Sequence, residues 1–125
     1  MDLNHILSNF VDSEHEIVNF SSSQYIAMSD IQTALPQNHD EFVILNLNIQ
    51  SINAKFDSLL PVISNLSSSD LYFGAICLQE TWLESNADLS LFQIPGYKLI
   101  HQGSRCTKHG GLIIYLNDHV MVFVL

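Results

Sequence analysis

The sequence predicts an α/β fold, and three patterns carry that expectation. Residues 42–48 and 71–78 are two apolar runs of strand length, as expected of strands covered on both faces. Between them Phe56, Leu59, Leu60, Ile63 and Leu66 recur at helical spacing. Strand, helix, strand in this order makes a βαβ unit with parallel strands and a right-handed crossover.

Each element follows from its residues. Residues 1–41 read as an acidic, weakly structured N-terminal extension, with Ser21-Ser22-Ser23 as linker. Within it, residues 30–35 fit one short helix, capped by Ser29 and closed by Pro36. In the first strand Val43, Leu45, Leu47 and Ile49 share one face. Phe42, Ile44, Asn46 and Asn48 share the other, which turns polar at the strand's end. Pro61 interrupts the helical pattern, because it lacks an N–H and crowds the preceding turn. The helix therefore either starts near Ser58 or is kinked, and Ser67-Ser68-Ser69-Asp70 closes it as a loop. Residues 97–102 and 112–116 read as a hairpin around a 103–111 loop, and residues 120–125 as a further strand. A strand ending on Leu125 would mark an interrupted domain.

Composition narrows the function classes. The 125 residues are 47% hydrophobic and 14% charged, so a packed core of one domain is expected and disorder is excluded. The net charge is −9. Residues 1–41 hold seven acids and no Lys or Arg, while residues 42–125 come to only −2. Nucleic-acid binders carry a basic face, and none is visible here. Cys77 lies in an apolar run and Cys106 in a polar loop, the usage of reduced thiols in an intracellular, nuclear or cytoplasmic protein. The acidic start Met1-Asp2-Leu3-Asn4 is unlike a secretory signal, and no stretch reaches membrane-spanning length.

Parallel strands place their C-terminal ends at one rim, where α/β ligand sites form. Asn48 and Glu80 end the two strands and should meet there. A carboxylate and an amide oxygen are hard ligands that suit Mg²⁺, which keeps several waters and needs few protein groups. The plain alternative is that Asn48 caps the following helix and Glu80 pairs with a loop N–H. Trp82 stands beside this pair, as a ligand contact or as core packing. His101, Cys106 and His109 offer only three zinc ligands where a structural site wants four, so exposed loop histidines explain them better. Cys106 lacks the base and oxyanion donor that a nucleophile needs. Gly110-Gly111 lacks the context of a phosphate loop and reads as a hairpin shoulder.

Five segments occur in a recognisable order: Leu47-Asn48-Ile49-Gln50-Ser51-Ile52, Lys55-Phe56-Asp57, Ile76-Cys77-Leu78-Gln79-Glu80-Thr81-Trp82-Leu83, Ile94-Pro95-Gly96-Tyr97 and Gly110-Gly111-Leu112-Ile113-Ile114-Tyr115. Together they resemble the N-terminal part of the endonuclease/exonuclease/phosphatase family. More narrowly, residues 25–116 are similar to the apurinic-type endonuclease domain of non-LTR (LINE-like, jockey-like) retrotransposons. The resemblance implies a four-layer α/β sandwich of the deoxyribonuclease-like type, truncated here to its N-terminal portion over residues 42–125. It also implies Mg²⁺-dependent (or Mn²⁺-dependent) hydrolysis of a DNA phosphodiester, the nicking of target DNA. On this resemblance Asn48 and Glu80 map to the catalytic site, with Glu80 and Asn48 as metal ligands and Gln50 and Trp82 as substrate contacts.

The family's catalytic Tyr, its Asp-x-Asn segment and its final Ser-Asp-His have no counterpart after the matched segments, in residues 117–125, and Gln50 stands where related nucleases often have Asn, Asp or Arg. The chain by itself is therefore expected to lack nicking activity and to bind DNA weakly or not at all. The alternatives are a non-catalytic relic or domesticated fragment that binds protein and self-associates through an uncovered sheet, and a phosphoesterase of the same fold acting on a small substrate. No membrane partner is expected.

Overall fold

The computed structural model describes residues 30–35, 41–104 and 108–121. They form a mixed α/β unit. In chain order the elements are α1 (Ile31–Ala34), β1 (Ile44–Asn48), α2 (Ile52–Ser68), β2 (Ala75–Gln79), a 3₁₀ turn (Leu89–Phe92), β3 (Tyr97–Gly103) and β4 (Leu112–Asn117). One four-stranded sheet is formed by the described residues, in the order β1-β2-β4-β3. β1 and β2 run parallel, as the βαβ reading requires, with Asn48 opposite Gln79. β4 is antiparallel to both β2 and β3, and the β3–β4 register shifts between Leu99 and His101.

The alternation of the strands builds the core. Leu45 and Leu47 stand opposite Ile76 and Leu78, which stand opposite Tyr115 and Ile113. This face packs with Ile52, Phe56, Leu59, Ile63 and Leu66 of α2 in one cluster. Burying each such side chain is worth roughly 1.5–3 kcal/mol, which is why the helical stripe docks where it does. Phe56 meets Phe92 edge to face at 5.4 Å, tying the 3₁₀ turn to the helix. The opposite sheet face carries Ile44, Asn46, Cys77, Gln79, Leu112 and Ile114, all outside that cluster. Ile44, Leu112 and Ile114 on it are half-exposed.

Several boundaries differ from the sequence expectation. α2 is one helix from Ile52, with Pro61 in its interior. Pro61 and Asp57, whose carbonyl loses its partner, are both exposed, so water can take the place of the missing N–H while five buried residues hold the helix together. The helix runs on through Ser67 and Ser68, whose hydroxyls donate back to the Ile63 and Ser64 carbonyls at 3.0 Å each. Asp70 at φ 61° then ends the helix, its N–H donating to Ser67 O and that of Leu71 to Leu66 O.

β2 starts at Ala75 rather than at residue 71. The backbone of Phe73 is taken by side chains: its N–H donates to Tyr97 Oη at 2.9 Å and its carbonyl accepts from Asn117 Nδ2 at 3.1 Å. Leu71 and Phe73 still enter the core. α1 has Asp30 as its N-cap, without a side-chain capping bond, so Ser29 is not the cap residue. Ile31 and Leu35 are buried in the main cluster, so this stretch of the acidic lead-in packs with the sheet unit. The rest of the N-terminal reading, and residues 122–125 of the expected last strand, lie outside the described residues.

Candidate functional site

The site forms where β1, β2 and β4 share a rim. Beyond β2, residues 79–82 are tied by backbone bonds on both sides. Toward β1, Ile49 N donates to Gln79 O at 3.0 Å, Ser51 N to Glu80 O at 2.9 Å and Ile52 N to Thr81 O at 3.1 Å. Toward β4, Trp82 N donates to Gly110 O at 2.9 Å and Thr81 N to Gly111 O at 3.4 Å. The cost is local strain. Gln50, Ser51, Glu80 and Trp82 all have positive φ, of 47°, 82°, 54° and 59°, beside Gly110 and Gly111 at 92° and 95°. Such conformations cost of order 1–3 kcal/mol for each non-glycine residue and cluster at functional sites.

Gly111 explains itself. A Cβ there would collide with Thr81 Oγ1 and come within 3.2 Å of Trp82 N. Thr81 is fully buried, and its hydroxyl makes no hydrogen bond among the described residues.

The Glu80 carboxylate is held from one side. Its Oε2 accepts the Gly110 N–H at 2.9 Å and the Trp82 indole N–H at 2.9 Å. Those donors, Gly110 first and Trp82 second, together with the nearby His109, hold the Glu80 pKa below the ordinary carboxylate value. Oε1 receives no hydrogen bond among the described residues. His109 packs its ring edgewise on Trp82, with centroids 5.3 Å apart.

Asn48 ends β1 at the same rim, opposite Gln79 and exposed. It does not cap α2; Ser51 does, accepting from Ala54 N at 3.3 Å. Nor is it the amide that meets β2. Gln79 Nε2 donates instead to Asn46 Oδ1 at 2.6 Å, diagonally across the parallel pair. Glu80 does pair with a loop N–H, as the plain reading of it expects. Gln50 is exposed on the strained turn into α2, and Trp82 is half-buried against Glu80. An open groove beside Trp82 is lined by Ser51, Asn53, Glu84, Asn86, Asp88 and Leu91.

No group of three or more His, Cys, Asp or Glu that could enclose a metal occurs among the described residues. Among them the rim offers the Glu80 carboxylate, whose Oε1 accepts no hydrogen bond from these residues. A donor of that kind would suit a largely hydrated Mg²⁺ held by few protein groups. A structural zinc site takes four protein ligands, and of the His101, Cys106 and His109 set Cys106 and the His101 side chain lie outside the described residues.

Sequence reasoning singled out Glu80, Asn48, Gln50 and Trp82 but missed Gly110 as a donor and Asn46 as the partner of Gln79. The glycine pair was the available signal for the first. Compared with known proteins, the chain matches no family model and no curated protein. No helix of the described residues is long and apolar enough to cross a membrane.

Proposed function

We propose that the chain is the N-terminal portion of a Mg²⁺-dependent phosphodiesterase domain of the endonuclease/exonuclease/phosphatase type, acting on DNA as a retrotransposon target-nicking endonuclease does. The observation that carries this reading is Glu80: a carboxylate just past the C-terminal end of central strand β2, held by two donors on one oxygen, while the other accepts no hydrogen bond among the described residues. The polar rim of Asn48 and Gln50 and the strain gathered around it support the reading. A second sheet face outside the main core supports the two-sheet sandwich that the resemblance implies.

Glu80 would hold the ion through Oε1, with Asn48 at the adjacent strand end. When bound, Mg²⁺ (or Mn²⁺) would supply a positive charge that polarises a phosphate and stabilises the leaving oxygen. Gly110 and Trp82 keep the carboxylate aimed. The nearest match to Ser-Asp-His in residues 1–125 is Asn117-Asp118-His119. It lacks the serine and follows the end of β4 that pairs with Ala75, the rim opposite Glu80, so it supplies no general base to this site. Binding without turnover is therefore the expected behaviour of this chain.

Two assays on the 1–125 chain test the proposal. Calorimetric titration with Mg²⁺ should show binding that Glu80→Gln removes; equal affinity in both forms would overturn the site. A supercoiled-plasmid assay with Mg²⁺ should show no nicking by 1–125. Glu80-dependent nicking would overturn the account of the missing base.

A further inference from the structure

We propose that Trp82 is a positioning residue for the Glu80 carboxylate, acting through its indole N–H; this rests on the reading of Glu80 as the group that holds a divalent cation. Two donors converge on a single carboxylate oxygen. The Trp82 indole and the Gly110 amide each lie 2.9 Å from Glu80 Oε2. A carboxylate so held cannot turn both oxygens to one ion, so it is set to bind through Oε1 alone.

The donors are fixed to each other as well. Trp82 N donates to Gly110 O at 2.9 Å, which closes a ring of contacts from Glu80 to the hairpin shoulder and back. The edge of His109 against the indole restrains its plane. Trp82 adopts this place at φ 59°, a conformation that an L side chain adopts at a cost. A tryptophan needed only to fill the core would require neither the left-handed backbone nor an indole aimed at a carboxylate.

Outer partners that orient a metal ligand cost roughly 10–100-fold in affinity when they are removed. Trp82→Phe keeps the ring against His109 and deletes the donor. Mn²⁺ binding, followed by electron paramagnetic resonance, should therefore weaken roughly tenfold in Trp82→Phe and vanish in Glu80→Gln. Because Trp82 is the sole tryptophan, its indole gives one ¹H–¹⁵N cross-peak. That peak should move in metal-free Glu80→Gln, and in the wild type on adding Mg²⁺.

Wild-type affinity in Trp82→Phe, with binding lost in Glu80→Gln, would overturn the positioning role and leave the Glu80 reading standing. Wild-type affinity in Glu80→Gln would overturn the Glu80 reading itself. If Trp82→Phe does not fold, the cross-peak decides, and an indole signal that neither Glu80→Gln nor Mg²⁺ moves would overturn the proposal.

Discussion

Gly110 donates its backbone N–H to Glu80 Oε2 at 2.9 Å, across thirty residues of chain. This bond joins the shoulder of the β3–β4 hairpin to the end of the central strand. It makes the carboxylate part of the fold as well as of the site, and the first expectation follows from that.

Glu80 has a folded-state pKa below the ordinary carboxylate value, through the Gly110 and Trp82 donors. A group depressed in this way stabilises the fold fully above its unfolded pKa, and the contribution is lost as pH falls through the folded one. Melting curves from pH 7 down to pH 3 should thus show wild type above Glu80→Gln at neutral pH, with the gap closing in acid. A gap that stays constant across the range would mean the charged form of Glu80 is not what the donors favour.

Gly111 and Gly96 separate two costs of a side chain. Both have positive φ, but a Cβ at Gly96 meets nothing within 4 Å, whereas at Gly111 it meets Thr81 and the Trp82 backbone. Gly96→Ala should cost about 1 kcal/mol from backbone conformation alone. Gly111→Ala should cost more, about 3 kcal/mol, or well over 10 °C in melting temperature. Equal melting of the two variants would place the strain elsewhere.

The Cys77 thiol is buried, and that burial pushes its pKa up to about 11. It should resist iodoacetamide at pH 8 in the folded chain and react after denaturation. Peptide mapping distinguishes it from Cys106; rapid labelling of native Cys77 would show that its sheet face is open.

Ile76 is fully buried at the centre of the sheet, opposite Tyr115. Ile76→Asp should leave the chain unfolded, because an unpaired charge would enter the core. Tyr115→Phe is milder. It removes the donor to Phe92 O at 2.7 Å and should cost about 1–3 kcal/mol. Circular dichroism melts check both, and a cooperative melt of Ile76→Asp near wild type would contradict the placement of β2.

What was legible in the sequence was what local pattern determines. The runs around Leu45 and Ile76 are apolar enough to be strands, and a polar residue such as Glu80 just past an apolar run stands out. Only β2 of the two is central and covered on both faces; β1 is an edge of the described sheet and stays half-exposed. Packing overrode local signals elsewhere. Pro61 sits within α2 because Phe56, Leu59, Ile63 and Leu66 hold both sides of it. The Asn46–Gln79 bond depends on the register of two strands, which no single strand specifies. Gly110 as a donor was hidden for the same reason: its partner lies in another element, and a backbone N–H leaves no trace in composition.

The measurement that tests the central claim most directly is terbium luminescence excited through Trp82, the sole tryptophan. Tb³⁺ seeks hard oxygen ligands and emits when it binds near an excited indole. The 1–125 chain should give sensitised emission that Mg²⁺ competes away, while Glu80→Gln, folded by circular dichroism, should give none. Emission of equal strength from the folded Glu80→Gln chain would contradict the assignment of the cation to Glu80.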